Sequence, residues 1–428
     1  MISENNLQKL SFLVYGLGIT GKSVVKFFEK NNIKNYQVWD DKDKILFKKK
    51  RPSNLSKVFK EVNYIVLSPG VSLKNSIKGN NLSKYKKKII SDIDLIYLSK
   101  NFFKSIVVTG TNGKSTTCKI IHHVLEKNNY KSLLGGNIGT PVLSLNTKKN
   151  SFLIIEASSF QLAHSKFIQP DYALLLNITN DHLDWHGSMK NYVESKFKIF
   201  KSQTKNQYSI IGDKLKSIFK KKKLLGKLIV PKVKNYQKLK SKFNNFYLKS
   251  SINDENMSYV LELFKLLKIS EKSFLKSLNT FSGLPHRYEI FLKKKNFVFI
   301  NDSKATSFEA TKFALKNTKN VYWIVGGLPK KNDNINLKSL KKNIIRSYII
   351  GKNVNFFKNK LQKSINCFVA KNIKNSITAI FKDIKLFNKK ENNILFSPAA
   401  ASFDQFKNFE KRGDEFKKIS KNYARKII

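Results

Sequence analysis

The chain has 428 residues, room for two to four domains, and its 41% hydrophobic and 12% aromatic content is enough for real cores, which excludes wholesale disorder. Lysine and arginine outnumber aspartate and glutamate 82 to 29, but the only arginines are Arg51, Arg287, Arg346, Arg412 and Arg425, so the +53 charge reads as lysine drift onto solvated faces rather than a nucleic-acid surface. Two distant cysteines, Cys118 and Cys367, exclude a disulfide framework and fit a reducing, cytoplasmic setting, and no apolar run reaches the roughly 18 residues of a membrane span.

Apolar runs at Phe12–Tyr15, Tyr64–Leu67, Ser105–Val108, Phe152–Ile155, Ala173–Asn177, Phe297–Ile300 and Val321–Val325 alternate with glycine turns and helical stretches. This predicts an α/β fold with mostly parallel sheets, in three blocks: residues 1–92, 93–283 and 284–428. The first apolar stretch, Ser11–Thr20, has the look of a signal segment. It runs into a glycine turn with no small-residue cleavage site, so it reads as a buried strand. Gly16-Leu-Gly-Ile-Thr-Gly21 then opens a helix, and Asp40 follows after a second strand. That is the dinucleotide fingerprint, and alone it proposes NAD, although such a turn can hold any pyrophosphate.

In the second block Gly110-Thr-Asn-Gly-Lys114-Ser-Thr116 follows a strand and leads into a helix. Glycines let backbone N–H groups approach phosphate oxygens at a helix N-terminus, Lys114 can neutralise the β and γ phosphates, and Ser115 can reach Mg²⁺. The spacing is shorter than the common phosphate loop, since Val108 stands where its first glycine would be. This loop argues for ATP and against hydride transfer. Downstream, Glu156 ends a strand, and Asp181-His182 follow another. Carboxylates and an imidazole there suit a cation site. Gly135-Gly-Asn137 is a weaker loop signal. His122, His123 and His164 read as structural or surface. Lys196 reads on its own as a solvated helix lysine. Pro231–Ser250, rich in lysine and asparagine, reads as a surface segment with a weak strand or two.

The third block carries Leu284-Pro-His-Arg287, Asn301-Asp-Ser-Lys-Ala-Thr306, Gly326-Gly-Leu-Pro-Lys330 and Ser397-Pro-Ala-Ala-Ala-Ser402-Phe403, with Phe409 beyond. Each alone is a polar loop after a strand.

Together these segments, in this order, resemble the Mur ligases of the Mur and folylpolyglutamate synthase superfamily over essentially the whole chain, and in particular the Mur ligases that add D-glutamate. The resemblance implies a Rossmann-like N-terminal domain, a P-loop-type central ATPase domain and a Rossmann-like C-terminal domain. It implies ATP and Mg²⁺ as cofactors, with UDP-N-acetylmuramoyl-L-alanine and D-glutamate as substrates, in a cytoplasmic monomer that does not enter a membrane. Carried over position by position, Leu17, Ile19, Thr20, Asp40 and Gly70 fall at the UDP end, with Asn137 near the phosphates and the muramoyl group. Gly110, Thr111, Asn112, Gly113, Lys114, Ser115, Thr116, Asn256, Arg287 and Asp302 fall on ATP. Ser115, Glu156, His182 and a carbamylated Lys196 fall on Mg²⁺, with Lys198 as the alternative register, and Lys114, His182 and Lys196 are the catalytic positions. Lys304, Thr306, Lys330, Ser402, Phe403 and Phe409 fall on D-glutamate. The chain departs from the pattern at Ser307, at Ala400, ahead of Asn253 and at Leu328-Pro329. The last bears on the placement of Lys330, with Lys331 as a neighbouring cation.

Overall fold

β-Branched and aromatic runs become short strands because each can be buried on both faces of a helix-covered sheet. The computed structural model describes residues 7–427 except 44, 46, 72, 74–78, 100–101, 331–332 and 388–389, so Lys331 lies outside the described residues. Its strands form three sheets. The first has β1 (Phe12–Tyr15), β2 (Tyr36–Trp39), β3 (Tyr64–Leu67) and β4 (Ile89–Ile90) in the order β2-β1-β3-β4, all parallel. The second has β5 (Lys104–Thr109), β6 (Ser132–Gly136), β7 (Phe152–Glu156), β8 (Tyr172–Leu175), β9 (Tyr208–Ile211) and β10 (Lys227–Ile229) in the order β10-β9-β8-β5-β7-β6, also parallel. The third has β11 (Glu289–Lys294), β12 (Phe297–Asn301), β13 (Val321–Gly326), β14 (Ile344–Ile350), β15 (Cys367–Lys371) and β16 (Asn392–Phe396) in the order β11-β12-β16-β13-β14-β15. Only its β11–β12 pair is antiparallel.

The chain divides into two compact units, Met1–Phe281 and Ser282–Ile428. One apolar cluster runs from Phe12, Val24 and Phe28 through Ile93 and Ile96 to Val107, Ile155 and Phe197, so the first two sheets share a core. A division of this unit at residue 92 remains our proposal, resting on the two separate sheets.

Two local expectations are corrected. β8 stops at Leu175 because Leu176 and Asn177 turn away to serve the phosphate loop: Leu176 N–H donates to the Thr109 carbonyl and Thr111 N–H donates to the Asn177 carbonyl. Pro231–Ser250 contains no strand but short helices at Val233–Gln237 and Phe246–Lys249, with Tyr236, Leu239, Phe243 and Leu248 buried. Its buried apolar residues are spread over these short helices and the turns between them, so no strand alternation forms among the lysines.

Candidate active site

Parallel strands place ligands at their carboxyl ends. In the second sheet β7 lies between β5 and β6, so the loops after β5, β6, β7 and β8 open on one edge. Gly110, with φ +155°, follows β5, and Gly113, with φ +83°, precedes the helix Lys114–Lys127. A Cβ on Gly113 would lie 2.1 Å from Asn256 Oδ1 and would push that side chain, on the helix Asp254–Leu266, away from the loop, and the positive φ itself favours glycine. From the end of β8, Asn177 holds the loop in place by accepting from Thr111 N–H at its carbonyl and from Asn112 N–H at its side chain, both at 2.9 Å.

Two cations converge beneath the loop. Lys114 Nζ donates to the carbonyls of Gly110 and Thr111 at 2.9 and 2.8 Å. Lys196, from the helix Met189–Lys201, donates to the same Gly110 carbonyl at 2.8 Å and lies 4.6 Å from the Tyr192 ring centre. Lys196 is only 1% exposed, which replaces the reading of a solvated helix lysine. Burial, reinforced by the Lys114 charge and opposed by Asp181, brings its pKa down to about 7. Residues two apart on a helix do not share a face. Lys198 accordingly turns away and donates to the Ala163 carbonyl.

Glu156, at the end of β7, is buried. Its Oε1 accepts from Asn137 Nδ2 at 2.9 Å, while Oε2 is buried with no hydrogen-bond partner. A buried carboxylate oxygen lacking a donor fits a cation. His182 is half exposed, in a left-handed conformation with φ +52°, and its Nε2 is 3.5 Å from Asp181 Oδ2. Among the described residues no group of three or more His, Cys, Asp or Glu is placed to hold a metal. The cation set expected from the sequence depends instead on the Ser115 hydroxyl and a modified Lys196.

Tyr192 was missed by the sequence reading and ties these parts together. Its hydroxyl is 3.0 Å from Thr111 Oγ1, and its ring lies between Lys196 and His182, 6.5 Å from the imidazole centre. The available signal was its position one helical turn before Lys196. Of the histidines expected to be structural or at the surface, His122 Nδ1 pairs with Ser132 Oγ, His123 Nε2 with the Ser277 carbonyl, and His164 is buried.

The glycine turn of the first sheet is built around a carboxylate. A Cβ on Gly16 would lie 2.8 Å from Val71, and one on Gly21 1.9 Å from the Gly16 carbonyl, so the turn and its helix close tightly. Asp40 Oδ2 accepts from Leu17 N–H at 2.6 Å, and its Oδ1 accepts from Lys42 and Asp43 N–H. Burial works to raise Asp40, but these N–H groups and Arg51 outweigh it and leave its pKa below the usual value. Ile19 is 79% exposed on the first turn of the helix, and Thr20 and Gly70 are at the surface.

In the second unit three loops are joined. Leu328 and Ala401 exchange backbone hydrogen bonds at 2.9 Å, which sets the loop before Lys330 beside the loop before Ser402. Lys330 is exposed, Ser402 is buried and Phe403 is 71% exposed. Lys304 Nζ lies 3.7 Å from the Phe409 ring centre, with Thr306 partly exposed nearby in sequence. Arg412, also missed by the sequence reading, is buried and donates to the carbonyls of Ser303 and Ala400 at 2.7 and 2.9 Å. Asp302 is turned inward, accepting from Tyr288 N–H and Ser397 Oγ. Burial raises it to about 7 against these bonds and the charge of Arg287.

Comparison with known proteins fits this architecture. Residues 108–278 match the Mur ligase middle domain. The chain is 33% identical to a UDP-N-acetylmuramoylalanine–D-glutamate ligase of Rickettsia felis, over 99% of each chain. It is 35% identical to the ligase of the same name from Buchnera aphidicola subsp. Schizaphis graminum, over 96% of this chain and 97% of that one. The fold matches the MurF ligase of Thermotoga maritima in complex with ADP at a TM-score of 0.57, with 16% identity over 99% of this chain and 98% of that one. The chain therefore belongs to the Mur ligase family, among the UDP-N-acetylmuramoylalanine–D-glutamate ligases.

Proposed function

We propose that this protein uses ATP to join D-glutamate to the L-alanyl carboxylate of UDP-N-acetylmuramoyl-L-alanine, a step in building peptidoglycan precursors. The observation that carries the chemistry is Lys114 beneath the phosphate loop, at the strand edge that also presents the buried Glu156 with an unpartnered oxygen for a cation, and beside the buried amine of Lys196. A carboxylate is a poor acyl donor because oxide is a poor leaving group. Phosphorylation solves this, and it requires positive charge around a transferring phosphoryl group.

In this reading the amides and hydroxyls of Gly110, Thr111, Asn112, Gly113, Ser115 and Thr116 cradle the triphosphate, Asn256 backs the loop, and Lys114 leaves its two carbonyls to meet the β and γ phosphates. Ser115, Glu156, His182 and Lys196 would hold Mg²⁺, which when bound supplies charge stabilisation at the phosphoryl group. The exposed Asn137 is assigned to the phosphates and the muramoyl group, and Leu17, Ile19, Thr20, Asp40 and Gly70 to the UDP end. On the second unit we assign Arg287 and Asp302 to the nucleotide. Lys304, Thr306, Lys330, Ser402, Phe403 and Phe409 are assigned to D-glutamate, whose amine displaces phosphate from the acyl phosphate.

Lys196 has its own chemical part in this reading. Only a neutral amine captures CO₂, and its depressed pKa leaves much of it neutral near pH 7. The amine nitrogen would bond the CO₂ carbon and lose one proton to solvent, and the carbamate so formed would carry the negative charge that a cation needs and an ammonium lacks.

The test is phosphate release with a panel of UDP-muramoyl substrates and amino acids, using an ¹⁸O-labelled L-alanyl carboxylate. Transfer of one ¹⁸O into phosphate, dependent on both substrates, is expected. Ligation without that transfer would exclude the acyl phosphate.

A further inference from the structure

Glu156 is followed by a capping box. Gln161 N–H donates to Ser158 Oγ at 3.2 Å, and Gln161 Oε1 accepts from Ser158 N–H at 3.1 Å and from Ser158 Oγ at 2.9 Å. The other end of that amide, Nε2, donates to both oxygens of Asp92, at 3.1 and 3.3 Å. Asp92 begins the helix Asp92–Ser99, which follows β4 of the first sheet. Asp92, Ser158 and Gln161 are all buried, at 1%, 7% and 4% exposure, so water does not substitute freely for any of these bonds.

A side-chain amide has a donor end and an acceptor end, and rotating it by half a turn leaves its shape nearly unchanged. A carboxylate only accepts. Asp92 therefore draws the NH₂ end of Gln161 toward itself and turns the oxygen end toward Ser158, where a backbone N–H needs an acceptor. On the other side of the same turn, Thr109 Oγ1 donates to the Ala157 carbonyl at 2.8 Å. The backbone just after Glu156 is thus held from two directions, and one of them originates outside the second sheet.

We propose that Asp92 is a positioning residue for the Glu156 cation site, acting through the direction it imposes on the Gln161 amide. This rests on the reading of Glu156 as a cation ligand. Lys166 and Phe167 N–H groups, and Ser91 N–H, engage the neighbouring Asp94 rather than Asp92, so Asp94 does not share the role.

The test is Mn²⁺ binding to the nucleotide-free full chain, followed by electron paramagnetic resonance. In Gln161→Glu two carboxylates face each other, and the Mn²⁺ dissociation constant should rise by about ten-fold or more, as for lost outer partners of a metal site, whereas Asp92→Asn/Gln161→Glu should return to within about three-fold of the parent. In the double variant the amide introduced at position 92 donates, and the carboxylate introduced at position 161 accepts from that amide and from Ser158. A merely structural packing role predicts no such rescue. A double variant binding no better than the single one, or a single variant binding like the parent, overturns the proposal. Glu156→Gln reports on the underlying reading: unchanged Mn²⁺ binding there removes the cation site itself and the proposal with it.

Discussion

The two glycine-rich turns, Gly16–Gly21 and Gly110–Lys114, look alike in sequence and are opposite in charge. Both follow a parallel strand and open a helix. In the first, an aspartate reaches back to accept the Leu17 N–H. In the second, two lysine amines meet at the Gly110 carbonyl. A glycine fingerprint thus reports only that backbone can come close to a ligand. The charged side chains around it, Asp40 after a strand in the first turn and Lys114 and Lys196 on helices in the second, decide how much negative charge the turn accepts. In our proposal the first turn meets the UDP end of the substrate and the second meets the triphosphate.

The largest expected effect comes from removing the charge of the second turn. Lys114→Ala should lower kcat by about 10³, the scale of a lost transition-state charge contact, with little change in KM for the UDP substrate. Steady-state kinetics with each substrate varied separates the two, and near-normal turnover would erase the contrast between the turns. Lys196→Ala should cost about 10²–10³ in kcat and be partly restored by acetate. In the parent protein, ¹³C-bicarbonate should give a carbamate resonance by NMR. Because the Lys196 pKa is depressed to about 7, that resonance should weaken as the pH falls below about 7, where the ammonium form takes over. A resonance that grows as the pH is lowered, or that survives in Lys196→Ala, would contradict the assignment.

Glycine geometry sharpens the same comparison. Gly113→Ala places a Cβ against Asn256 at φ +83°, a strain of about 1–3 kcal/mol that should weaken ATP binding about ten- to hundred-fold by calorimetry. Lys330→Ala, distant from both turns in sequence, should leave nucleotide affinity unchanged and raise KM for D-glutamate by about ten- to hundred-fold, the loss of a charged hydrogen bond. The smallest effect belongs to Gly18→Ala: nothing lies within 4 Å of its new Cβ, and stability by thermal unfolding should change by less than about 0.5 kcal/mol.

The strand edges and both turns were legible in the sequence because close backbone approach needs glycine and strands need apolar runs. Convergence from distant positions was not. Tyr192 has no motif of its own, and the capping-box spacing of Ser158 and Gln161 does not point to Asp92; both roles come from which helices the topology brings together. Asp92 lies at the expected boundary between the first two blocks, where a sequence reading looks for linkers rather than buried hydrogen bonds. The sparse arginines were an unused signal. In a chain this rich in lysine, Arg51 stacks on Trp39 at 3.9 Å while holding the Asp40 and Asp43 carbonyls, Arg346 bridges Asp383, and Arg412 ties two loops. Arg51 and Arg412 each use two nitrogens of a planar fork that lysine cannot reproduce. Conversely, the helices of Pro231–Ser250 were hidden because lysine and asparagine fill most positions that do not face the core.

The most direct measurement offers D-glutamate, L-glutamate, L-lysine and meso-diaminopimelate together with UDP-N-acetylmuramoyl-L-alanine and ATP, and identifies the ligated product by mass spectrometry. The account predicts predominant incorporation of D-glutamate, absent in Lys114→Ala. In our proposal the two carboxylates would meet Lys304, Lys330 and the hydroxyls of Thr306 and Ser402, while the extra ammonium of a diamino acid would meet like charge. Predominant incorporation of any other amino acid, or product formed without ATP, would contradict it.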